Sequence, residues 1–221
     1  IRDSAAPQDA SPPKKEATAQ PAAPQPQSLA EDPAAALRLR PIRWTTCNAE
    51  DSDAAIQACG ALAADTAMTG EDLALAQRRF GYALRKKGLL DDAITALNAS
   101  IATAASSAAH NDRGVAYLLK GQFAQALTDF DEAVRRDGKN GDAWNNRAWT
   151  YFKTSRNAEA LADADKAVAL ISGKAYVWDT RGHIHEAAGD RKAAEADFVQ
   201  ALSLEPGLAT SRAALKRLTG R

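Results

Sequence analysis

The sequence predicts an all-α fold, a solenoid of stacked helical hairpins, and two observations carry this prediction. The stretch "NDRGVAYLLKG" at residues 111–121 recurs as "NNRAWTYFKTS" at 145–155 and as "DTRGHIHEAAG" at 179–189, a repeat of 34 residues. In each repeat, two apolar stripes at helical spacing flank a break, which holds in order Gly88, Gly121, Ser155 and Gly189. Each repeat is therefore predicted to be a helix, a tight turn and a second, antiparallel helix.

Residues 1–36 are predicted to be a disordered Pro- and Ala-rich linker. Eight of the nine prolines lie within residues 1–41, and the stretch up to Ser28 has almost no large apolar residue. Such a segment buries too little surface to offset its ordering entropy. It either tethers the following domain or is a tail without a role. Because the only methionine is Met68, we expect an upstream piece to be missing or removed, such as a signal peptide or an anchor.

Residues 37–73 are predicted to form a strap and an N-terminal capping helix. The stretch "LRLRPIRW" alternates apolar residues with arginine, which fits an extended strap on the folded body better than contact with an anionic membrane. A short helix follows around Ile56. A disulfide from Cys47 to Cys59 would close a loop of about 13 residues, contribute about 3 kcal/mol and indicate an oxidising compartment. The alternative is two half-buried thiols in a cytoplasmic protein.

Four repeat units follow at residues 74–106, 107–140, 141–174 and 175–208. Small residues recur at three positions of the unit, where two helices would approach closely: the eighth (Gly81, Gly114, Ala148, Gly182), the twentieth (Ala93, Ala126, Ala160, Ala194) and the twenty-seventh (Ser100, Ala133, Ala167, Ala201). Larger residues fill the eleventh (Leu84, Tyr117, Tyr151) and the twenty-fourth (Leu97, Phe130, Phe198).

This pattern resembles the tetratricopeptide repeat family over residues 74–208. The resemblance implies a right-handed superhelical solenoid, which needs a cap at each end. Residues 209–221 are predicted to supply the C-terminal capping helix. One departure is Ala164, where the family has a larger residue; we expect Trp144, Trp149 and Phe152 to offset the missing volume.

Three arginines at the seventh position of their units are predicted to be structural. Sixteen residues after each arginine stands an aspartate, and an antiparallel hairpin places these two positions opposite each other; the pairs are Arg113 with Asp129, Arg147 with Asp163, and Arg181 with Asp197. In the first unit both positions are apolar, Phe80 and Ala96. A paired change is expected of a structural contact. The alternative is a ligand-binding arginine presented three times.

The resemblance also implies a concave groove lined by the first helix of each unit. Its positions carry over to Arg78, Tyr82, Arg85 and Lys86, then Asn111, Val115, Leu118 and Leu119, then Asp142, Asn145, Trp149, Phe152 and Lys153, and finally Tyr176, Asp179, His183 and Glu186. The groove would run from basic to mildly acidic. Asn145 with Trp149 is the favoured contact for an extended peptide, unless Trp149 fills the space beside Ala164.

Catalysis is not predicted. "HIHEAAG" at 183–189 lacks the second histidine of a zinc protease, so neither a catalytic nor a metal site is expected, and no cofactor. The net charge is zero, with 28 basic and 28 acidic residues interleaved, which disfavours nucleic acid. We expect a non-catalytic scaffold that binds a protein or peptide, located in the periplasm of a bacterium or secreted, with the cytoplasm as the alternative. A second hypothesis is a self-assembly module that forms homo-oligomers through the strap or the terminal helix.

Overall fold

The computed structural model describes residues 33–49 and 53–220, and all regular structure within them is helical. Eleven helices are present in this part of the chain: α1 (Pro33–Asn48), α2 (Asp53–Ala63), α3 (Gly70–Lys86), α4 (Leu90–Thr103), α5 (Ser107–Leu119), α6 (Phe123–Arg136), α7 (Gly141–Lys153), α8 (Asn157–Ile171), α9 (Ala175–Ala187), α10 (Arg191–Leu204) and α11 (Ala209–Thr219). Each helix packs mainly on its neighbours in sequence. The predicted all-α solenoid is confirmed.

The repeat units correspond to the pairs α3–α4, α5–α6, α7–α8 and α9–α10. The last three pairs begin at residues 107, 141 and 175, the first residues of the predicted units, whereas α3 begins at Gly70, ahead of residue 74. Helix α11 follows the last pair and packs on α10 and α9. The predicted linker lies outside the described residues up to residue 32, and its last four residues, 33–36, are helical instead because α1 begins at Pro33.

The break between the two helices of each unit has left-handed backbone. Gly88, Gly121 and Gly189 have φ of 79°, 73° and 82°, and Ser155 has φ of 61° in the third unit. This conformation lets the chain reverse between the helices, and it is costly for a residue with a Cβ atom. Ser155 is the one non-glycine residue with positive φ among the residues described.

The small residue at the eighth position is required by the ring or side chain that it faces. A Cβ atom on Gly114 would lie 2.6 Å from Phe130, and one on Gly182 would lie 2.7 Å from Phe198. In the third unit, Ala148 and Ala164 share one buried cluster. A larger residue at the eighth position thus accompanies a smaller one at the twenty-fourth.

The expectation about the space beside Ala164 was only partly right. Phe152, Tyr151, Leu161 and Ile184 pack around it. Trp144 instead belongs to the next cluster, with Val168 and Val177. Trp149 belongs to neither cluster; its ring packs against Phe152 and against His183 of α9.

The expected extended strap is wrong, because "LRLRPIRW" lies within helix α1, with Pro41 exposed inside it. Cys47 near the end of α1 forms a disulfide with Cys59 of α2, and their Cα atoms are 4.8 Å apart. Trp44 packs against the same buried cluster. Arg40 adds two hydrogen bonds to Asp65, at 3.0 and 2.8 Å. These contacts hold α1 and α2 as a hairpin, stacked through α2 on α3, so the amino-terminal cap is a disulfide-linked hairpin.

Candidate functional site

The three predicted arginine–aspartate pairs all form, each with two hydrogen bonds. The Nε and Nη2 atoms donate to the two carboxylate oxygens at 2.8 and 2.6 Å for Arg113, 2.6 and 2.9 Å for Arg147, and 2.8 and 2.8 Å for Arg181. The accepting carboxylates belong to Asp129, Asp163 and Asp197, which are 2%, 6% and 4% exposed. Such buried carboxylates require a partner.

Each arginine also reaches back to the preceding unit, which the sequence analysis missed. The Nη1 atom donates to Asn98 for Arg113, to Asp131 for Arg147 and to Asp165 for Arg181, at 2.7, 2.8 and 2.9 Å. The spacing of 34 residues between Asp131 and Asp165 was a visible signal for this contact. The arginines therefore join each unit to its neighbour.

Aromatic and ionic contacts complete the surroundings of these arginines. The guanidinium carbon of Arg147 lies 4.7 Å from the ring centre of Trp144. The guanidinium carbon of Arg181 lies 4.9 Å from the ring centre of Trp178. Burial raises the pKa of Asp129, but hydrogen bonds from Arg113 and His110 outweigh it and hold this pKa below its ordinary value. All three nitrogen atoms of each guanidinium group donate to acceptors inside the fold, which supports a structural role for these arginines.

The first helices line the concave side of the solenoid. Among the described residues, α3 touches α5, α5 touches α7 and α7 touches α9, whereas the second helices of successive units make no such contacts. The first helices are thus closer together and lie on the inner side of the curve. The predicted groove residues lie on these four helices.

The groove residues differ widely in exposure. Exposed side chains are Tyr82, Lys86, Leu119, Asp142, Lys153 and Tyr176; half-buried ones are Arg78, Arg85, Asn111, Val115, Leu118, Trp149, Phe152, Asp179, His183 and Glu186. Asn145 is only 7% exposed. Its Oδ1 atom is buried and has no hydrogen-bond partner in the described part of the chain. The favoured peptide contact through Asn145 therefore lies below the surface, and Trp149 is the accessible member of the pair.

Trp149 is at the centre of an aromatic patch. Its ring centre lies 5.2 Å from that of Phe152 and 6.1 Å from that of His183, and the Nζ atom of Lys153 lies 5.9 Å away. The ring is half-buried and does not belong to the cluster beside Ala164, so its contact with a partner stays a prediction. A half-buried tryptophan held by its neighbours presents a rigid surface to a partner.

The predicted acidic end of the groove is covered by the capping helix. Asp179 accepts hydrogen bonds from Thr210 and Ser211 at 3.0 and 2.5 Å. Glu186 accepts two from Arg217, at 2.9 and 2.7 Å, and these bonds hold the pKa of Glu186 below its ordinary value. Helix α11 thus uses the carboxylates that were expected to give this end its charge.

The histidines of "HIHEAAG" contact different groups. For His183, the Nε2 atom lies 3.8 Å from a carboxylate oxygen of Asp179, and the Nδ1 atom lies 3.7 Å from one of Glu186. The Nε2 atom of His185 lies 3.9 Å from a carboxylate oxygen of Asp197. Within residues 33–49 and 53–220, no three His, Cys, Asp or Glu residues are grouped so that they could hold a metal ion. None of the helices described there has both the length and the apolar character to cross a membrane.

Comparison with known families decides the classification. One tetratricopeptide repeat model matches residues 78–127 and 111–175, and another matches residues 175–207. Together these matches span more than half of the 221 residues. The chain belongs to the tetratricopeptide repeat family.

Solved tetratricopeptide repeat structures share the fold. The chain is 30% identical to the TPR domain of Arabidopsis OM64, with a TM-score of 0.51, over 52% of this chain and 95% of that one. It is 21% identical to the MamA protein, with a TM-score of 0.60, over 79% of this chain and 92% of that one. The first TPR of Spaghetti (RPAP3), solved with the HSP90 peptide SRMEEVD, is 24% identical, with a TM-score of 0.51, over 52% of this chain and 91% of that one. The curated protein sequences gave no match.

Proposed function

We propose that this tetratricopeptide repeat protein is a non-catalytic adaptor that binds an extended segment of a partner protein in its concave groove. The observation that carries the proposal is the place of its exposed apolar residues. Within the four units, the first helices expose Leu75, Tyr82, Leu119 and Tyr176, at 37–59% exposure. Tyr82, Leu119 and Tyr176 are predicted groove residues. Exposed apolar side chains that share one concave surface favour a protein ligand.

The centre of the groove is where we expect most of the binding energy. Trp149, Phe152 and Leu118 are half-buried there, and Leu119 is 59% exposed. A partner side chain placed on Trp149 would remove apolar surface from water without reordering the groove. The first TPR of RPAP3, which shares this fold, is bound to an HSP90 peptide, and this supports a peptide ligand for the chain.

The test compares groove and outer-surface variants of the full chain. Random short peptides displayed on phage are selected on the protein, and the affinity of a selected synthetic peptide is measured by calorimetry. Trp149→Ala should weaken binding by roughly 30-fold, which corresponds to about 2 kcal/mol. Leu119→Ala should weaken it about fivefold, or about 1 kcal/mol.

Val199→Ala is the matched control, because Val199 is an aliphatic residue of similar exposure, 51%, on the second helix α10. It should leave the affinity unchanged. An equal loss in Val199→Ala, or no loss in Trp149→Ala and Leu119→Ala, would contradict a groove-bound ligand.

The disulfide supports a location in a bacterial cell envelope, either periplasmic or secreted. Cys47 and Cys59 are bonded and are 6% and 0% exposed, and such bonds persist in oxidising compartments. Rapid acid quenching of cells that express the native protein, followed by a maleimide–polyethylene glycol gel shift, should detect no free thiol. Two free thiols in the quenched sample would favour the cytoplasm.

Self-assembly is a second candidate, and helix α1 favours it. Leu37 and Ile42 are 61% and 63% exposed on this helix. If copies associate through α1, Leu37→Glu combined with Ile42→Glu should convert an oligomer to a monomer in light scattering. A wild-type chain that is monomeric at high concentration would exclude this function.

A further inference from the structure

His183 lies where the aromatic patch of the groove meets the part that α11 covers. It stands one repeat after Trp149, at the same ninth position of its unit, and its side chain is 21% exposed. Its ring meets two other rings edge-on, with ring centres 6.1 Å apart for Trp149 and 4.9 Å apart for the buried Phe198. His183 therefore forms part of the surface on which a ligand at Trp149 would rest.

Both ring nitrogens of His183 face carboxylate oxygens that α11 already uses. The Nε2 atom lies 3.8 Å from Oδ1 of Asp179, and the Nδ1 atom lies 3.7 Å from Oε2 of Glu186. The same Oδ1 atom accepts the two hydroxyl hydrogen bonds from α11, and the same Oε2 atom accepts one from Arg217. Both distances exceed that of a hydrogen bond. The imidazole thus lies between two acceptors and bonds to neither.

The two carboxylates differ in how their charge is balanced. Glu186 is paired with Arg217 at 2.7 Å. Asp179 accepts hydrogen bonds only from hydroxyl groups, and among the described residues His183 is the one basic side chain within 4.0 Å of its carboxylate. A carboxylate at this range favours the charged form of a histidine. Protonation of His183 would therefore give Asp179 the cation that it lacks.

The helices packed around His183 bring few further charges to it. From α7, the Nζ atom of Lys153 lies 5.9 Å from the ring centre of Trp149; this lysine is exposed, so solvent weakens its repulsion of a charged imidazole. From α10, an aromatic ring packs on His183, whereas the buried carboxylate of that helix, Asp197, is bonded by an arginine of α9. From α11, the guanidinium group of Arg217 is already paired. The two adjacent carboxylates thus dominate the charge around the ring.

The charge of His183 changes what the groove offers beside Trp149. A neutral imidazole adds an aromatic edge to the patch. An imidazolium adds a charge, and an apolar ligand side chain that covered it would remove this charge from water at a cost in free energy. Histidine is the side chain whose charge ordinarily changes between about pH 5 and 8. The same apolar ligand should therefore bind better when His183 is neutral.

We propose that His183 makes ligand binding in the groove pH-sensitive, so that a partner bound at neutral pH is released as the pH falls. The inference rests on the proposed function, because it concerns the same ligand at Trp149. An affinity that falls with pH requires that binding releases protons, since the two equilibria are linked. His183 would be the group that releases them.

The test uses a peptide that does not titrate. A peptide selected on the full, oxidised chain at about pH 7.5 is synthesised with blocked termini and without His, Asp or Glu, and its affinity is measured by calorimetry. The wild type should bind it roughly fivefold more weakly at about pH 5.5 than at about pH 7.5. Near the middle of this range, buffers of different ionisation enthalpy should show that binding releases protons.

Three variants assign the effect to one group. His183→Gln should bind the peptide equally well at both pH values. His185→Gln is the matched control, because this histidine lies on the same helix and its Nε2 atom is 3.9 Å from Asp197 instead; it should keep the wild-type pH dependence. Asp179→Asn keeps an oxygen for the hydroxyl groups of α11 but removes the charge, so the midpoint of the pH dependence should move to lower pH. Circular dichroism at both pH values confirms that each variant is folded.

A second measurement needs no peptide. The indole N–H resonance of Trp149, assigned through its loss in Trp149→Phe, should shift between about pH 7.5 and 5.5 in the wild type. It should stay constant in His183→Gln and shift as before in His185→Gln. A resonance that is constant in the wild type would show that the charge of His183 does not reach Trp149, and the proposal would fail.

The outcomes for the two proposals are distinguishable. If a peptide binds Trp149 with the same affinity at both pH values, or if His183→Gln keeps the pH dependence, the pH proposal fails and the groove function stands. Tighter binding at the lower pH would overturn the pH proposal as well. If no peptide is enriched at either pH, both proposals fail.

Discussion

Replacing Arg147 with methionine should destabilise the solenoid, and replacing its partner as well should restore much of the loss. Arg147 donates two hydrogen bonds to Asp163, which is 6% exposed, and one to the exposed Asp131. Arg147→Met leaves the buried carboxylate unpaired, at a cost of about 3 kcal/mol. The contact with Asp131 adds only about 0.5 kcal/mol, because it is solvated. For a chain of this size the melting temperature should fall by roughly 7–14 °C.

The double variant Arg147→Met/Asp163→Leu places two apolar side chains across the hairpin, as Phe80 and Ala96 are placed in the first unit. Its loss should be smaller than the sum of the single losses by about 2 kcal/mol. Urea unfolding followed by circular dichroism measures the four free energies of the cycle. Additive losses would show that the two residues do not stabilise the fold as a pair, and the structural account of the ladder would fail.

Three further predictions concern the frame. Gly114→Ala should lower the free energy of unfolding by about 1–3 kcal/mol, because the new Cβ would lie 2.6 Å from a ring atom of α6. Gly173→Ala is the control and should not destabilise the fold, because nothing lies within 4 Å of its Cβ position. Equal urea midpoints for the two variants would contradict the packing argument. The pKa of Asp129 is lower in the folded protein than in the unfolded chain, so its ionised form stabilises the fold above about pH 4, and this contribution is lost as the pH falls through the lowered pKa. The melting temperature of Asp129→Asn should therefore vary less with pH in that range than that of the wild type. An identical pH profile for the two proteins would exclude this linkage. Cys47→Ala/Cys59→Ala should cost about 3 kcal/mol and speed hydrogen exchange in α1 but not in α7, whereas uniform acceleration would show that the cap is not a local unit.

The hairpins were predictable because each is held by contacts between two neighbouring helices, and the residues that make these contacts recur at fixed positions of the repeat. A left-handed turn, a small residue at the eighth position and a filler at the twenty-fourth recur with the same period, and each follows from the approach of two neighbouring helices. The arginine pairs were predictable for the same reason. Their second acceptors, such as Asp131, belong to the preceding unit, so these contacts depend on how two units stack and not on the geometry of one hairpin.

The amino-terminal segment was less predictable because its helix depends on distant contacts. The alternation of apolar residues with arginine, together with Pro41, indicated extended backbone. Helix α1 forms because Trp44 and Cys47 reach a buried cluster and Arg40 reaches Asp65. Tertiary packing outweighs local propensity here.

The groove was predictable by position but not by accessibility. The resemblance located Asn145 and Trp149 on the inner side of α7, but their exposure depends on how closely α7 and α9 approach. Likewise, α11 covers Asp179 and Glu186 through Arg217, Thr210 and Ser211, a contact between segments that the repeat pattern does not relate.

Hydrogen exchange of the full, oxidised chain with and without a selected peptide tests most directly whether the concave groove is the binding surface. The account predicts slower exchange in the first helices α3, α5 and α7, with α6 and α8 unchanged. Protection confined to the second helices, or to α1 and α11 alone, would contradict it.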